Sequence, residues 1–205
     1  MHVLIPMKRL DAAKSRLAPA LPPQGRRRLM LAMALHVSTE AVAADVWPVA
    51  LVSSDPQAAG LAASAGVGLL SDAGLPWNDG LRHAIASLES AAVAVLLLAA
   101  DLPLLRARDV RALARMSAPG EVVIGRAHDG GTNALLLHPP DAIVSCFGLP
   151  GSADEHARRA REAGCRPRLL DLAGVARDID TPADADRAGI DPAVWTGRSP
   201  AARRG

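Results

Sequence analysis

Met1-His2-Val3-Leu4-Ile5-Pro6 runs directly into Met7-Lys8-Arg9-Leu10-Asp11-Ala12-Ala13-Lys14-Ser15-Arg16-Leu17. The first segment is apolar and ends at a proline, as a short buried strand does. The second carries the cations Lys8, Arg9, Lys14 and Arg16. Such a loop fits the carboxyl end of a buried parallel strand, where open α/β sheets hold their ligands. Cations gathered at that edge suit a polyanion, and a nucleoside triphosphate is the leading candidate. A solvated basic surface loop has the same local pattern, so charge alone does not separate the two.

Working outward, strand-like runs at 3–5, 49–53, 67–70, 93–99, 122–125, 134–138 and 168–172 are interleaved with helical stretches. The helical stretches cover 24–44, 56–65, 79–91, 109–116 and 153–163. Near-continuous apolar strands alternating with amphipathic helices predict an α/β fold: a mainly parallel, Rossmann-like sheet covered on both faces, with right-handed crossovers. The stretch 125–135 reads as an excursion bringing in a locally antiparallel strand, with Asp129-Gly130-Gly131 as its turn. The length of 205 residues supports one such domain, expected over 1–190. Residues 191–205, mixing Gly, Pro, Ser and Arg, read as a flexible tail.

Aromatic residues make up 2 % of the chain, with no Tyr, so the core must be built from Ala, Leu and Val. That poverty also removes the stacking platforms that single-stranded nucleic acid needs. Lys+Arg at 23 against Asp+Glu at 21 gives no global electrostatic case for nucleic acid or a membrane surface. The apolar run 91–100 is too short to span a bilayer, and the initial run is too short for a secretory signal and lacks a cleavage region. A soluble, cytoplasmic protein is expected. Cys146 and Cys165 lack metal-binding spacing and read as free thiols. The six histidines are scattered singly and read as non-catalytic. No phosphate-loop, dinucleotide or nucleophile-elbow motif is present.

Three carboxylates stand out. Asp101 directly follows the apolar run 93–100 and is expected to point into the same crevice as the cationic loop; by itself it reads more readily as a turn or helix-capping residue than as a metal ligand. In Arg177-Asp178-Ile179-Asp180-Thr181-Pro182, Asp178 and Asp180 share a face if extended, and two like charges side by side need a cation or donors. Thr181-Pro182 also reads as a helix start that Asp180 or Thr181 could cap. Three oxygen donors beside phosphate suit Mg²⁺.

Six motifs in order carry a family resemblance. They are the stretch from Ile5 to Leu17, Asn78-Asp79-Gly80-Leu81, Ala100-Asp101-Leu102-Pro103, Gly131-Thr132-Asn133-Ala134-Leu135, Phe147-Gly148 with Gly151-Ser152, and Asp178-Ile179-Asp180-Thr181-Pro182. Over residues 1–188 the chain resembles the 2-phospholactate or phosphoenolpyruvate guanylyltransferases of coenzyme F-420 biosynthesis. The resemblance implies a single-domain, three-layer nucleotidyltransferase fold similar to that of the molybdenum-cofactor guanylyltransferases. That related group has a glycine-rich loop after its first strand, whereas the loop here, from Lys8 to Leu17, contains no glycine.

The implied chemistry joins GTP to a small phosphorylated acid. The acid's phosphate oxygen attacks the α-phosphorus and pyrophosphate leaves. Candidate acceptors are phosphoenolpyruvate, 2-phospho-L-lactate and 3-phospho-D-glycerate. The implied site assigns two Mg²⁺ ions to Asp101, Asp178 and Asp180, and counts Lys14 with them as catalytic. Pro6, Lys8, Lys14, Arg16, Asn78 and Asp101 would bind the nucleotide; Thr132, Asn133, Gly148, Gly151 and Ser152 would bind the acceptor. A deazaflavin transferase would act downstream, and a homodimer is compatible. Lys14 is expected to face solvent, so that its loss spares folding. The family joins Phe-Gly to Gly-Ser through one residue; here Leu149 and Pro150 both intervene. Two rival readings are a nucleotidyltransferase for another base or acceptor, such as a sugar phosphate or molybdopterin, and a non-catalytic nucleotide-binding subunit.

Overall fold

In the computed structural model, which describes residues 1–12, 14–88, 93–189 and 191, one seven-stranded sheet organises the chain. The strands are β1 (His2–Pro6), β2 (Val49–Val52), β3 (Gly68–Leu70), β4 (Val95–Leu98), β5 (Glu121–Arg126), β6 (Thr132–Leu137) and β7 (Arg166–Leu170). The helices are α1 (Pro23–Ala43), α2 (Ala58–Ala65), α3 (Trp77–Ala86), α4 (Ala107–Ala114), α5 (Ser152–Glu162) and α6 (Pro182–Arg187). The order across the sheet is β3-β2-β1-β4-β6-β5-β7. Every neighbouring pair is parallel except those of β6, which runs antiparallel to both β4 and β5.

The apolar strands are buried on both faces because alternate residues serve different layers. Val3 and Ile5 of β1 pack with Leu29, Met33 and Val37 of α1, together with residues of α2, α4 and α6. Leu4 packs on the other face with Leu81 of α3, Phe147 and Ala157 of α5. The result is three layers, as the alternation of elements predicts.

The antiparallel excursion follows from a tight turn. Ala127 N–H donates to Gly131 O at 2.9 Å, and Gly131 N–H donates to the Asp129 carboxylate at 2.9 Å. Gly130 sits at φ 86°, a conformation open to glycine. Element boundaries differ from expectation at several ends. Strand β7 starts at Arg166 rather than 168; it is the edge strand, where Pro167 interrupts no ladder beyond it. Helix α4 starts at Ala107 rather than 109, because Asp109 Oδ2 accepts the Arg106 N–H at 3.0 Å. Helix α3 starts at Trp77 after Pro76 and runs to Ala86, while 89–92 lie outside the described residues. The stretch 191–205 read as a tail also lies outside them, apart from Asp191.

Candidate active site

The sheet brings three strand ends to one edge. Strands β1 and β4 end there, and β6, running the other way, begins there. Ala99 N–H donates to Asn133 O at 2.8 Å, so the start of β6 lies against the segment leading to Asp101. The edge opens into a cavity of about 400 Å³. Of the residues singled out from the sequence, Pro6, Lys8, Lys14, Arg16, Asp101, Thr132, Asn133, Gly148, Asp178 and Asp180 line it. Asn78, Gly151 and Ser152 do not.

The cationic loop is tied down at its start. Met7 N–H donates to Val52 O at 3.0 Å, extending the β1–β2 pairing by one residue. The buried Asp55 carboxylate then accepts Leu10 N–H and Gln57 N–H, each at 2.8 Å. Lys14 follows in a left-handed conformation at φ 52°, rare for a side chain with a Cβ. That backbone turn directs Lys14 inward.

Lys14 Nζ lies between two carboxylates, donating to Asp180 Oδ1 at 2.7 Å and to Asp101 Oδ2. Its side chain is 6 % exposed. This corrects the expectation of a solvent-facing lysine: two acidic groups brought together by the fold draw the ammonium in. Burial disfavours the charged form, but the Asp101 and Asp180 charges outweigh it, and the amine is held above the usual lysine range. Arg16 adds a longer pairing to Asp180 at 3.7 Å and is itself largely exposed.

Asp101, Asp178 and Asp180 each offer an oxygen within 4.8 Å of the others. Asn133 Nδ2 donates to Val175 O at 2.9 Å and to Asp178 Oδ1 at 3.1 Å, fixing the Asp178 side chain from β6. Asp178 titrates above the usual carboxylate range, first because it is buried and then because Asp101 repels its charge. Three acidic groups facing one ammonium leave excess negative charge. A hard oxygen donor set of this kind fits Mg²⁺. Asp184, next along, has a local task instead: its Oδ2 accepts Thr181 N–H at 2.8 Å and caps α6, with Thr181 as the N-cap.

Across the cavity lies a neutral network. Ser152 Oγ donates to Thr132 Oγ1 at 3.2 Å, and His156 Nδ1 lies 3.0 Å from the same oxygen. Ser152 and His156 are fully buried, and Thr132 nearly so. Ser152 therefore stands one hydrogen bond behind the cavity wall. At the start of α5, Ser152 N–H is taken by Leu149 O at 3.1 Å and Ala153 N–H by Gly130 O at 3.3 Å. Leu149 and Pro150, the longer connection, form an exposed turn between Gly148 and Gly151.

Trp77 was not singled out from the sequence, yet it forms part of the cavity wall. Lys8 Nζ stands 4.8 Å from its ring centroid, a cation–π arrangement. Gly148 sits beside this ring at φ 76°, a left-handed conformation that favours glycine. Asn78 follows Trp77 and donates through Nδ2 to Phe147 O at 3.2 Å, tying α3 to the Gly148 loop. Gly80 has its own steric reason: a Cβ there would meet the Asp72 Cβ at 2.9 Å.

Comparison with known proteins identifies the family and the fold. A family described as "Guanylyl transferase CofC like" matches residues 1–188. A phosphoenolpyruvate guanylyltransferase from Sphaerobacter thermophilus is 42 % identical over 186 residues, covering 89 % of each chain. One of the same name from Chloroflexus aggregans is 39 % identical over 188 residues, covering 87 % of this chain and 91 % of the other. Among solved structures, a nucleotidyl transferase from Methanothermobacter superposes with a TM-score of 0.65 at 16 % identity, over 92 % of this chain and 95 % of that one. A CMP:2-keto-3-deoxy-manno-octonic acid synthetase complexed with CTP gives 0.60 at 18 % identity, over 95 % and 98 %. Those structural likenesses establish the nucleotidyltransferase fold, and the match over residues 1–188 places this chain in the CofC-like guanylyl transferase family, as an enzyme.

Proposed function

We propose that the enzyme transfers GMP from GTP to phosphoenolpyruvate, releasing pyrophosphate, in the biosynthesis of coenzyme F-420. The observation that carries the reading is the convergence of Lys14, Asp101, Asp178 and Asp180 with Thr132 and Asn133 at one sheet edge. Relatives named phosphoenolpyruvate guanylyltransferase supply the acceptor. Neither rival reading is favoured by that membership.

An acceptor phosphate oxygen forms the new bond to the α-phosphorus, and the bond to the β-phosphate's bridging oxygen breaks. Both reactants are anions, so the first obstacle is repulsion, and no protein nucleophile is needed. Lys14 and Arg16 neutralise the triphosphate and the departing pyrophosphate, with Lys8 toward the Trp77 side. Pro6 lines the nucleotide's edge of the cavity, and Asn78 supports it from behind by tying α3 to the Gly148 loop. Asp101, Asp178 and Asp180 would hold Mg²⁺, two ions in this reading, which supplies charge stabilisation at the attacking and leaving oxygens. Asn133 keeps Asp178 in place. Thr132 and Gly148 face the acceptor, with Ser152 and Gly151 supporting them from behind. Catalysis is then positioning and preorganised charge. The ester product is a substrate for a deazaflavin transferase.

The test is pyrophosphate release from GTP and from CTP, each against phosphoenolpyruvate, 2-phospho-L-lactate and 3-phospho-D-glycerate. GTP with phosphoenolpyruvate is expected to be fastest. Equal rates with CTP, or release with none of the three acids, would overturn the reading.

A further inference from the structure

His156 has no part in the chemistry above, yet it is fully buried against the wall that Thr132 presents to the cavity. It follows Ser152 by four residues on α5, so both side chains meet the same face of the sheet. Its ring nitrogens have distinct partners. Cys146 N–H donates to Nε2 at 2.9 Å. A backbone N–H can only donate, so Nε2 carries no proton. A neutral imidazole then holds its proton on Nδ1, 3.0 Å from Thr132 Oγ1. Burial keeps the ring neutral, pushing it down to about 4.

Ser152 completes the arrangement. Its hydroxyl has zero exposure, and Thr132 Oγ1 is its hydrogen-bond partner among the described residues at 3.2 Å. If Thr132 donated to Ser152 instead, the Ser152 proton would be buried without an acceptor, which is unfavourable. Thr132 Oγ1 therefore accepts from both neighbours. A hydroxyl has two acceptor positions and one proton. With both acceptor positions filled, the Thr132 proton has the cavity left to it.

We propose that His156 is a positioning residue which, with Ser152, fixes the Thr132 hydroxyl as an obligate hydrogen-bond donor to an anionic oxygen of the acceptor. This rests on the reading that Thr132 faces the phospho-acid. A hydroxyl free to turn presents lone pairs as readily as its proton; one held as a donor is set for a carboxylate or phosphate before the acceptor arrives.

The inference is tested with His156→Leu, His156→Asn and Thr132→Val, measuring KM for phosphoenolpyruvate and for GTP, kcat, and thermal unfolding. His156→Leu removes the Nδ1–H donor and is expected to raise KM for phosphoenolpyruvate roughly 10- to 100-fold, the range for a hydrogen bond to a charged group. KM for GTP should stay within about twofold. His156→Asn keeps an N–H near the Nδ1 position and should restore most of the acceptor affinity. Equal losses in the two His156 variants, or parallel rises in both KM values, would overturn the role of His156. An unchanged acceptor constant in Thr132→Val would instead overturn the placement of the acceptor at Thr132. Should His156→Leu fail to fold, ¹⁵N NMR of histidine-labelled wild-type enzyme remains decisive. It should show His156 neutral at pH 7 with the proton on Nδ1, and the opposite tautomer would exclude the proposal.

Discussion

The two walls of the cavity hold their side chains by different means. On one, Lys14, Asp101, Asp178 and Asp180 are held by charge, with three acids facing one ammonium and Asp180 substantially exposed. On the other, Ser152, Thr132 and His156 form a neutral, buried network anchored to the Cys146 backbone. The charged wall carries excess negative charge that a cation relieves. The neutral wall has its donors and acceptors paired except for one proton. On the proposed function, the difference suits transfer between two anions: one side would absorb changing charge, while the other would hold the acceptor in place.

The sharpest way to break the comparison is to remove charge from the acidic wall. Asp101→Asn should lower the rate of pyrophosphate release by roughly 10²–10³-fold, about 3–4 kcal/mol, as for loss of one preorganised charge-stabilising group. Tm should change little, because the variant loses the ion pair with Lys14 while it relieves the repulsion of Asp178. A variant with normal turnover would remove Asp101 from the site.

Acid should move the two walls in opposite directions. His156 is pushed below its ordinary 6.5, to about 4, by burial. Between those values the unfolded chain takes up the proton first, so this stability is fully present above pH 6.5 and is lost as pH falls toward 4. The loss is on the order of 3 kcal/mol. Asp178 is raised, so the folded state takes up its proton first and acid relieves it. Unfolding measured across pH 4–7 for wild type, His156→Asn and Asp178→Asn should show stability changes of opposite sign relative to wild type. The same sign for both variants would contradict the assignment of one neutral and one acidic wall.

Lys14→Ala should have a smaller effect on stability, about 1–2 kcal/mol, since the two ion pairs it breaks have carboxylates only partly shielded from water. Removing the ammonium leaves Asp101 and Asp180 facing each other. Mg²⁺ at millimolar concentration should recover part of the lost Tm in this variant. No destabilisation, or none that Mg²⁺ reverses, would argue against a shared cation site at these carboxylates.

Much of this was legible in residue order. The run from Val3 to Ile5 reads as a strand because it is apolar without interruption, and Asp101 follows another such run. Gly130-Gly131 marks the turn that admits an antiparallel strand. The inward-facing Lys14 was not legible: its partners are 87 and 166 residues away, and a lysine in a basic loop carries no local sign of them. Nor was the network around His156: the stripe of Ala153, Ala157 and Ala160 marks its face of the helix as buried, but does not name its partners. Trp77 sits beside the Asn78-Asp79-Gly80 motif, and that adjacency was its one available signal.

By itself the sequence determined the alternation of elements, the strand ends that carry chemistry, and the family, since each is written in contiguous residues through apolar periodicity and turn chemistry. Only the tertiary structure decided which of those ends meet. Strand β6 runs antiparallel between β4 and β5, which sets Thr132 and Asn133 beside Asp101. The left-handed turn at Lys14 sends its ammonium between two acids. Burial then fixes the rest, because a polar group withdrawn from water must take whichever partner the packing brings within reach.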